Sequence, residues 1–108
     1  MATTRGRLRP PSSAPSAGES VEILARGATW RIEQILSGEL AQPVEDRLDH
    51  DEWVVVLAGA AVLDVDGVEV TMAEGEWIHL PAGVPHRVRS TARPTSWLAV
   101  HLGAGPAP

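Results

Sequence analysis

The chain has no cysteine, no lysine, no tyrosine and no phenylalanine. Without cysteine there is no disulfide, no thiolate metal ligand and no thiol nucleophile. A metal ion would have to be held by His, Asp, Glu or water. Without lysine, Schiff-base chemistry is excluded. Positive charge comes from nine arginines, three of which (Arg5, Arg7 and Arg9) sit near the start, and the formal net charge is −5. The rest of the chain is therefore more acidic still, which argues against a nucleic-acid partner. No run is long and apolar enough to span a membrane as a helix. No apolar stretch of signal-peptide length follows the early arginines, so the expected location is the cytoplasm.

What remains is enough for one domain of 108 residues. Residues 1–18 hold no acid, and Leu8 is their one large aliphatic. Their composition predicts a disordered tail. Gly103 to Pro108 should fray as well. The expected domain is 19–102.

Within it, strand signals dominate. Val21 to Leu24 and Ala28 to Leu36 are the first two, and Ser37-Gly38 stops the second. Residues 39–50 are acidic and irregular, with Pro43 inside, and are expected to form a loop beside the site. Trp53 to Leu57 and Ala60 to Val65 flank Gly59. Asp66-Gly67 is a hairpin turn signal, and Val68 to Met72 returns from it. Trp77 to Leu80, Val84 to Val88 and Thr95 to Leu102 complete the set. Many short strands and frequent turns predict an all-β jelly roll or barrel.

Several of these strands are apolar on both faces. Val54 and Val56 share a face with Glu52, yet Trp53, Val55 and Leu57 line the other. Leu98, Val100 and Leu102 oppose Trp97, Ala99 and His101. A half-buried strand should alternate apolar with polar. Something must cover the outside of the sheet, either the N-terminal strands or a partner subunit, and a homodimer is the expectation.

Residues 75–86 read Gly-Glu-Trp-Ile-His-Leu-Pro-Ala-Gly-Val-Pro-His. Gly75 permits a turn, Pro81-Ala82-Gly83 bends the chain, and His86 follows on a new strand. A side chain just past such a bend is held by rigid backbone, which suits a metal ligand. The run resembles the second signature of the cupin superfamily, G(X)5PXG(X)2H(X)3N, through Gly75, Pro81, Gly83 and His86. Ser90 stands where that pattern has Asn. Glu52 and Gly59 fit E(X)6G of the first signature. The resemblance covers roughly residues 45–102, and implies a cupin-type jelly-roll β-barrel with an inward-facing metal or ligand site. It fixes no reaction, because one fold hosts many.

Most metal-binding cupins take ligands from a His-X-His, a Glu and the second-motif His. Here the His-X-His slots fall on Asp46 and Leu48, or on Glu45 and Arg47. Two other histidines can compensate. His50 shares a face with Glu52 if both are extended. If residues 89–95 form a hairpin loop centred near Ala92, His86 pairs with Ala99. His101 then lies one diagonal away on the same face, about 6–8 Å off. The Asp-His-Asp-Glu-Trp and Trp-Leu-Ala-Val-His-Leu runs also resemble small bacterial single-domain cupins, in which Glu52, His86 and His101 match recurring positions.

The expected ligands are therefore His86, Glu52, His101 and then His50. They suit a divalent ion such as Zn, Fe, Mn, Ni or Cu. Glu52 is also the candidate acid or base if it is not a ligand. The bland alternative for Glu52 is a carboxylate paired with Arg87 or Arg89, and for His101 a core histidine. His79 is read as structural or interface, and the four tryptophans as core or interface. With no tyrosine, the Tyr acid of sugar-epimerase cupins is excluded. Three readings stay open: a metal-dependent enzyme acting on a small molecule (dioxygenase, isomerase, decarboxylase or lyase), a non-catalytic binder of a small ligand or metal, and a structural cupin with a degenerate site.

Overall fold

Alternation along β4 (Asp51–Ala58) is the organising fact. Glu52, Val54 and Val56 are buried on one face, and Trp53 and Val55 are half-buried on the other. The computed structural model describes residues 3–40, 44–46 (backbone) and 49–103. The other strands are β1 (Glu19–Arg26), β2 (Trp30–Ser37), β3 (Val44–Asp46), β5 (Ala60–Val65), β6 (Val68–Ala73), β7 (Trp77–Leu80), β8 (His86–Thr91) and β9 (Thr95–Leu102). They form two antiparallel sheets, in the orders β1-β2-β9-β4-β7 and β3-β8-β5-β6. The all-β jelly-roll reading holds. Between the sheets, Val54, Val56, Ala61, Leu63, Met72, Trp97 and Ala99 form the core.

The turns follow their residues. Asp66 and Gly67 both have positive φ, at 49° and 83°, the pairing a two-residue hairpin of the primed type needs. Gly59 has φ 91° and lies where the chain leaves the five-stranded sheet for the four-stranded one.

Two expectations change. The 39–50 segment contains β3, which pairs with β8 through Val44↔Val88, Glu45↔Arg87 and Asp46↔His86. A three-residue edge strand is too short to show alternation, and Pro43 only marks where it can begin. Residues 41–43 and 47–48 lie outside the described residues. Second, β8 and β9 do not pair. β8 pairs with β3 and β5, and β9 with β2 and β4. The bend at residues 92–94 carries the chain from one sheet to the other, so His86 has no register with Ala99.

The segment before β1 is placed against the sheet. The Gln34 side chain accepts from the Arg9 N–H and donates to the Arg9 carbonyl, both at 2.9 Å. Its amide also donates to Ser96 Oγ at 3.2 Å. Ala14 is buried, and the Gly38 N–H donates to the Gly18 carbonyl. Composition alone predicts a tail here, because a single buried amide on β2 leaves no pattern in residues 1–18. Gly103 is described, and the 104–108 end lies outside the described residues.

Farther along the same outer face, Ile32, Trp53, Val55, Leu98 and Val100 are half-buried. Trp30, Trp77 and Leu102 are exposed, Trp77 by 62%. The ring centroids of Trp53 and Trp77 are 5.9 Å apart. This is the second apolar face read from the strand parity.

Candidate functional site

Four strands bring the polar centre together. Glu52 is the second residue of β4, and sits directly opposite His101 of β9. His101 is in turn opposite Arg31 of β2. His86 opens β8 in the facing sheet. Glu52 and His86 therefore approach each other across the interior.

The distances connect them. His101 Nε2 lies 2.8 Å from Glu33 Oε1 and 3.3 Å from Glu52 Oε2. His86 Nε2 lies 3.7 Å from Glu52 Oε1. His86 Nδ1 donates to the Val84 carbonyl at 3.1 Å, which leaves Nε2 as the nitrogen turned to Glu52. His50 Nε2 is 2.8 Å from His101 Nδ1, and His50 Nδ1 is 3.0 Å from Asp49 Oδ1. The result is a continuous polar chain from exposed Asp49, through His50 and His101, to Glu33, Glu52 and His86.

Proton counting constrains this chain. Ionised carboxylates only accept, so His50 donates from Nδ1 and His101 from Nε2. The link between the two rings needs a third proton. Which ring supplies it depends on the tautomer of the pair.

Glu33 shows the consequence. Burial is the largest influence and pushes its carboxyl up, but the His101 hydrogen bond and charge, with Arg31 at 3.4 Å, together hold it below the usual range. The His50 hydrogen bond likewise lowers exposed Asp49. Asp51 is lowered chiefly by the Ala82 N–H, which donates to it at 3.0 Å, and then by His79. Asp51 thus ties β4 to the Pro81-Ala82-Gly83 bend, and His79 belongs to that tie. Arg87 and Arg89 donate to Asp64 and Glu69, each at 2.8 Å.

Beside the polar centre is a cavity of about 100 Å³ lined by Glu19, Ile35, Glu52, Val54, Leu63, Leu80, His86, Val88 and Trp97. The structure thus brings His86, Glu52 and His101 together, with His50 behind His101. Glu33, which the sequence reading passed over, joins them. Its signal was the Arg31-Glu33-Ile35 parity on β2, which puts a charged pair on one face of the strand. Only the sheet order shows that this face meets His101.

In kind, these donors suit a first-row divalent ion: imidazole nitrogens and carboxylate oxygens. Among the described residues, no group of three or more already surrounds one point. His86 offers Nε2. His101 has both nitrogens in hydrogen bonds, so it can serve as a ligand only by releasing the proton it shares with Glu33.

The match to the cupin domain family model spans residues 32–101, from β2 to β9, and the chain belongs to the cupin domain family. It is similar to a protein of Ralstonia eutropha JMP134 provisionally named a mannose-6-phosphate isomerase. The identity is 32%, over 92% of this chain and 100% of that one, with a TM-score of 0.78. KdgF from a Halomonas species matches at 15% identity over 80% of this chain and 79% of its own, TM-score 0.73. The cupin domain of an XRE family transcriptional regulator from Enterobacter cloacae matches at 18% identity over 83% and 99%, TM-score 0.69. The last two show the fold alone. A comparison with curated proteins gave no match.

Proposed function

We propose that this cupin binds a divalent metal ion through His86, Glu52 and His101, and acts on a small molecule held in the adjoining cavity. The observation that supports this most is the meeting of the three side chains from two facing sheets, with His86 and His101 on either side of Glu52 at 3.7 and 3.3 Å. When bound, such an ion would act as a Lewis acid and lower the pKa of a coordinated water. The chain's own groups do the rest. The Val84 carbonyl fixes the His86 ring. Glu33 and His50 orient His101 and hold its protons. Ile35, Val54, Leu63, Leu80 and Val88 exclude water from the cavity. Glu52, where not a ligand, is the acid or base nearest a bound molecule.

Elemental analysis of the untagged protein tests the metal. Near-stoichiometric metal is expected in the wild type and loss in both His86→Ala and His101→Ala. Because ligands must shed protons, metal retention should fall as pH is lowered. The wild type staying metal-free after incubation with Zn, Fe(II), Mn, Ni and Cu would reject this reading. A second reading would then stand: a metal-free ligand binder or acid–base site. The two hydrogen-bonded nitrogens of His101 favour it.

Mannose 6-phosphate, named for the Ralstonia neighbour, does not transfer easily. The described cavity wall carries Glu19 and Glu52 and no arginine, which disfavours a dianionic phosphate.

The homodimer expected from the two-faced strands is also a proposal. A second copy meeting the first through Trp53, Trp77, Leu98 and Val100 would be self-complementary. Sedimentation velocity should show a dimer for the wild type and a monomer for Trp77→Glu. A wild-type monomer at tens of micromolar would reject it.

A further inference from the structure

The cavity has a second polar end that the metal reading does not use. Glu19 opens β1 and is paired in register with Ser37 of β2. The Trp97 indole N–H donates to Ser37 Oγ at 3.1 Å, and the Ser37 hydroxyl donates to Glu19 Oε2 at 2.7 Å. Ser37 has no solvent exposure, and Trp97 is 4% exposed. A directed chain of hydrogen bonds, buried at its root, thus holds one oxygen of an exposed carboxylate at the cavity wall. Its second oxygen, Oε1, has no hydrogen bond among the described residues.

This end is well separated from Glu52 and His86. Along β9, the level of His101 and that of Trp97 are about 13 Å apart at roughly 3.3 Å per residue. The rest of the wall is Ile35, Val54, Leu63, Leu80 and Val88. The described wall holds two carboxylates, one imidazole, a tryptophan and apolar side chains. A carboxylate beside a tryptophan suits a cationic group, through charge and through the aromatic ring.

We infer that Glu19 is a specificity-determining residue, and that the cavity takes a small compound with an amine or ammonium at the Glu19–Trp97 end and an apolar middle. A carboxylate or phosphate at that end is disfavoured. This rests on the reading that the cavity binds a small molecule, but not on a metal being present.

The test uses the whole chain and three probes of equal length: n-butylamine, n-butanol and butyrate, at matched ionic strength. The readout is the Trp97 indole N–H signal in ¹H–¹⁵N spectra, assigned with Trp97→Phe among the four tryptophans. Butylamine should move that signal saturably and bind at least about fivefold tighter than butyrate, the scale of one exposed charge pair. Glu19→Gln keeps an oxygen for Ser37 but removes the charge. It should abolish the preference while leaving metal content and melting temperature unchanged.

Equal binding of amine and carboxylate, an unchanged ranking in Glu19→Gln, or no Trp97 shift with any probe would each overturn the inference. A melting temperature that falls in Glu19→Gln with the ranking intact would assign Glu19 to strand pairing only. Failure of the metal reading looks different: no metal in the wild type, with the amine preference still dependent on Glu19.

Discussion

Replacing His101 with alanine should destabilise the protein by about 3 kcal/mol at neutral pH, the scale seen when one partner of a buried ion pair is removed. Melting should fall by roughly 12–24 °C for a domain of this size. His101 is 2% exposed and donates to Glu33. Its ring also faces Glu52 at 3.3 Å. Without it, Glu33 keeps Arg31 but loses its strongest partner, while the burial that raises its carboxyl remains.

The pH dependence has a definite sign. In the wild type the Glu33 carboxyl is lowered, so its stabilisation is full above the unfolded value, near 4.3. That stabilisation is lost as pH falls through the lower folded value. In the variant the His101 contribution is gone while Arg31 and burial remain, so less of this stabilisation is present above the unfolded value. The gap between the two proteins should therefore be wide at about pH 7.5 and narrow at about pH 3, below the unfolded value. Urea unfolding at both values checks it, with both proteins chelated first so that metal linkage does not enter. A gap that is pH-independent, or below about 1 kcal/mol, would mean that the His101–carboxylate cluster carries little of the fold's stability.

The second large effect is at the corner of the fold. Gly59→Ala should lose about 3 kcal/mol, from two separate costs. At φ 91° an L side chain is strained. A Cβ there would also lie 2.6 Å from the Pro94 carbonyl oxygen and 2.5 Å from Thr95 Oγ1. The first of these is backbone, so the turn into β9 must move. Gly83 is the internal control. Its φ is also positive, at 82°, but a Cβ would meet nothing within 4 Å. Gly83→Ala should therefore lose only about 1 kcal/mol, the conformational part alone. Denaturant midpoints of the two variants separate strain from crowding. Equal losses would show that the approach of Pro94 to Gly59 carries no cost.

The two motif glycines looked alike as letters and differ in surroundings. Gly59 sits under the loop that brings in β9, whereas Gly83 lies on an open bend. Nothing in a local pattern distinguishes them, because the crowding atom is 35 residues away in the chain.

The candidate site divides in the same way. His86 and Glu52 were legible from motif spacing, which is local. His101 was legible as a candidate, but the reason given for its approach was a β8–β9 hairpin that does not form. It reaches the site instead as the direct cross-strand neighbour of Glu52 on β4. Glu33 and Glu19 were not singled out: Glu33 lies within the Ala28–Leu36 strand read from the sequence, while Glu19 opens β1 two residues before the Val21–Leu24 reading. Each owes its importance to a partner far along the chain, His101 for Glu33 and the Ser37–Trp97 pair for Glu19.

By itself, then, the sequence determined the all-β class, the strand faces, the Asp66-Gly67 turn and the motif residues. Each of these depends on periodicity or on the conformational limits of one or two residues. Only the tertiary structure decided which sheet each strand joins, that Glu33 completes the polar cluster, and that residues before Glu19 pack on Gln34. Those outcomes depend on sheet order and on long-range hydrogen bonds. A two-residue side-chain period records which face a residue occupies, but not what stands opposite it.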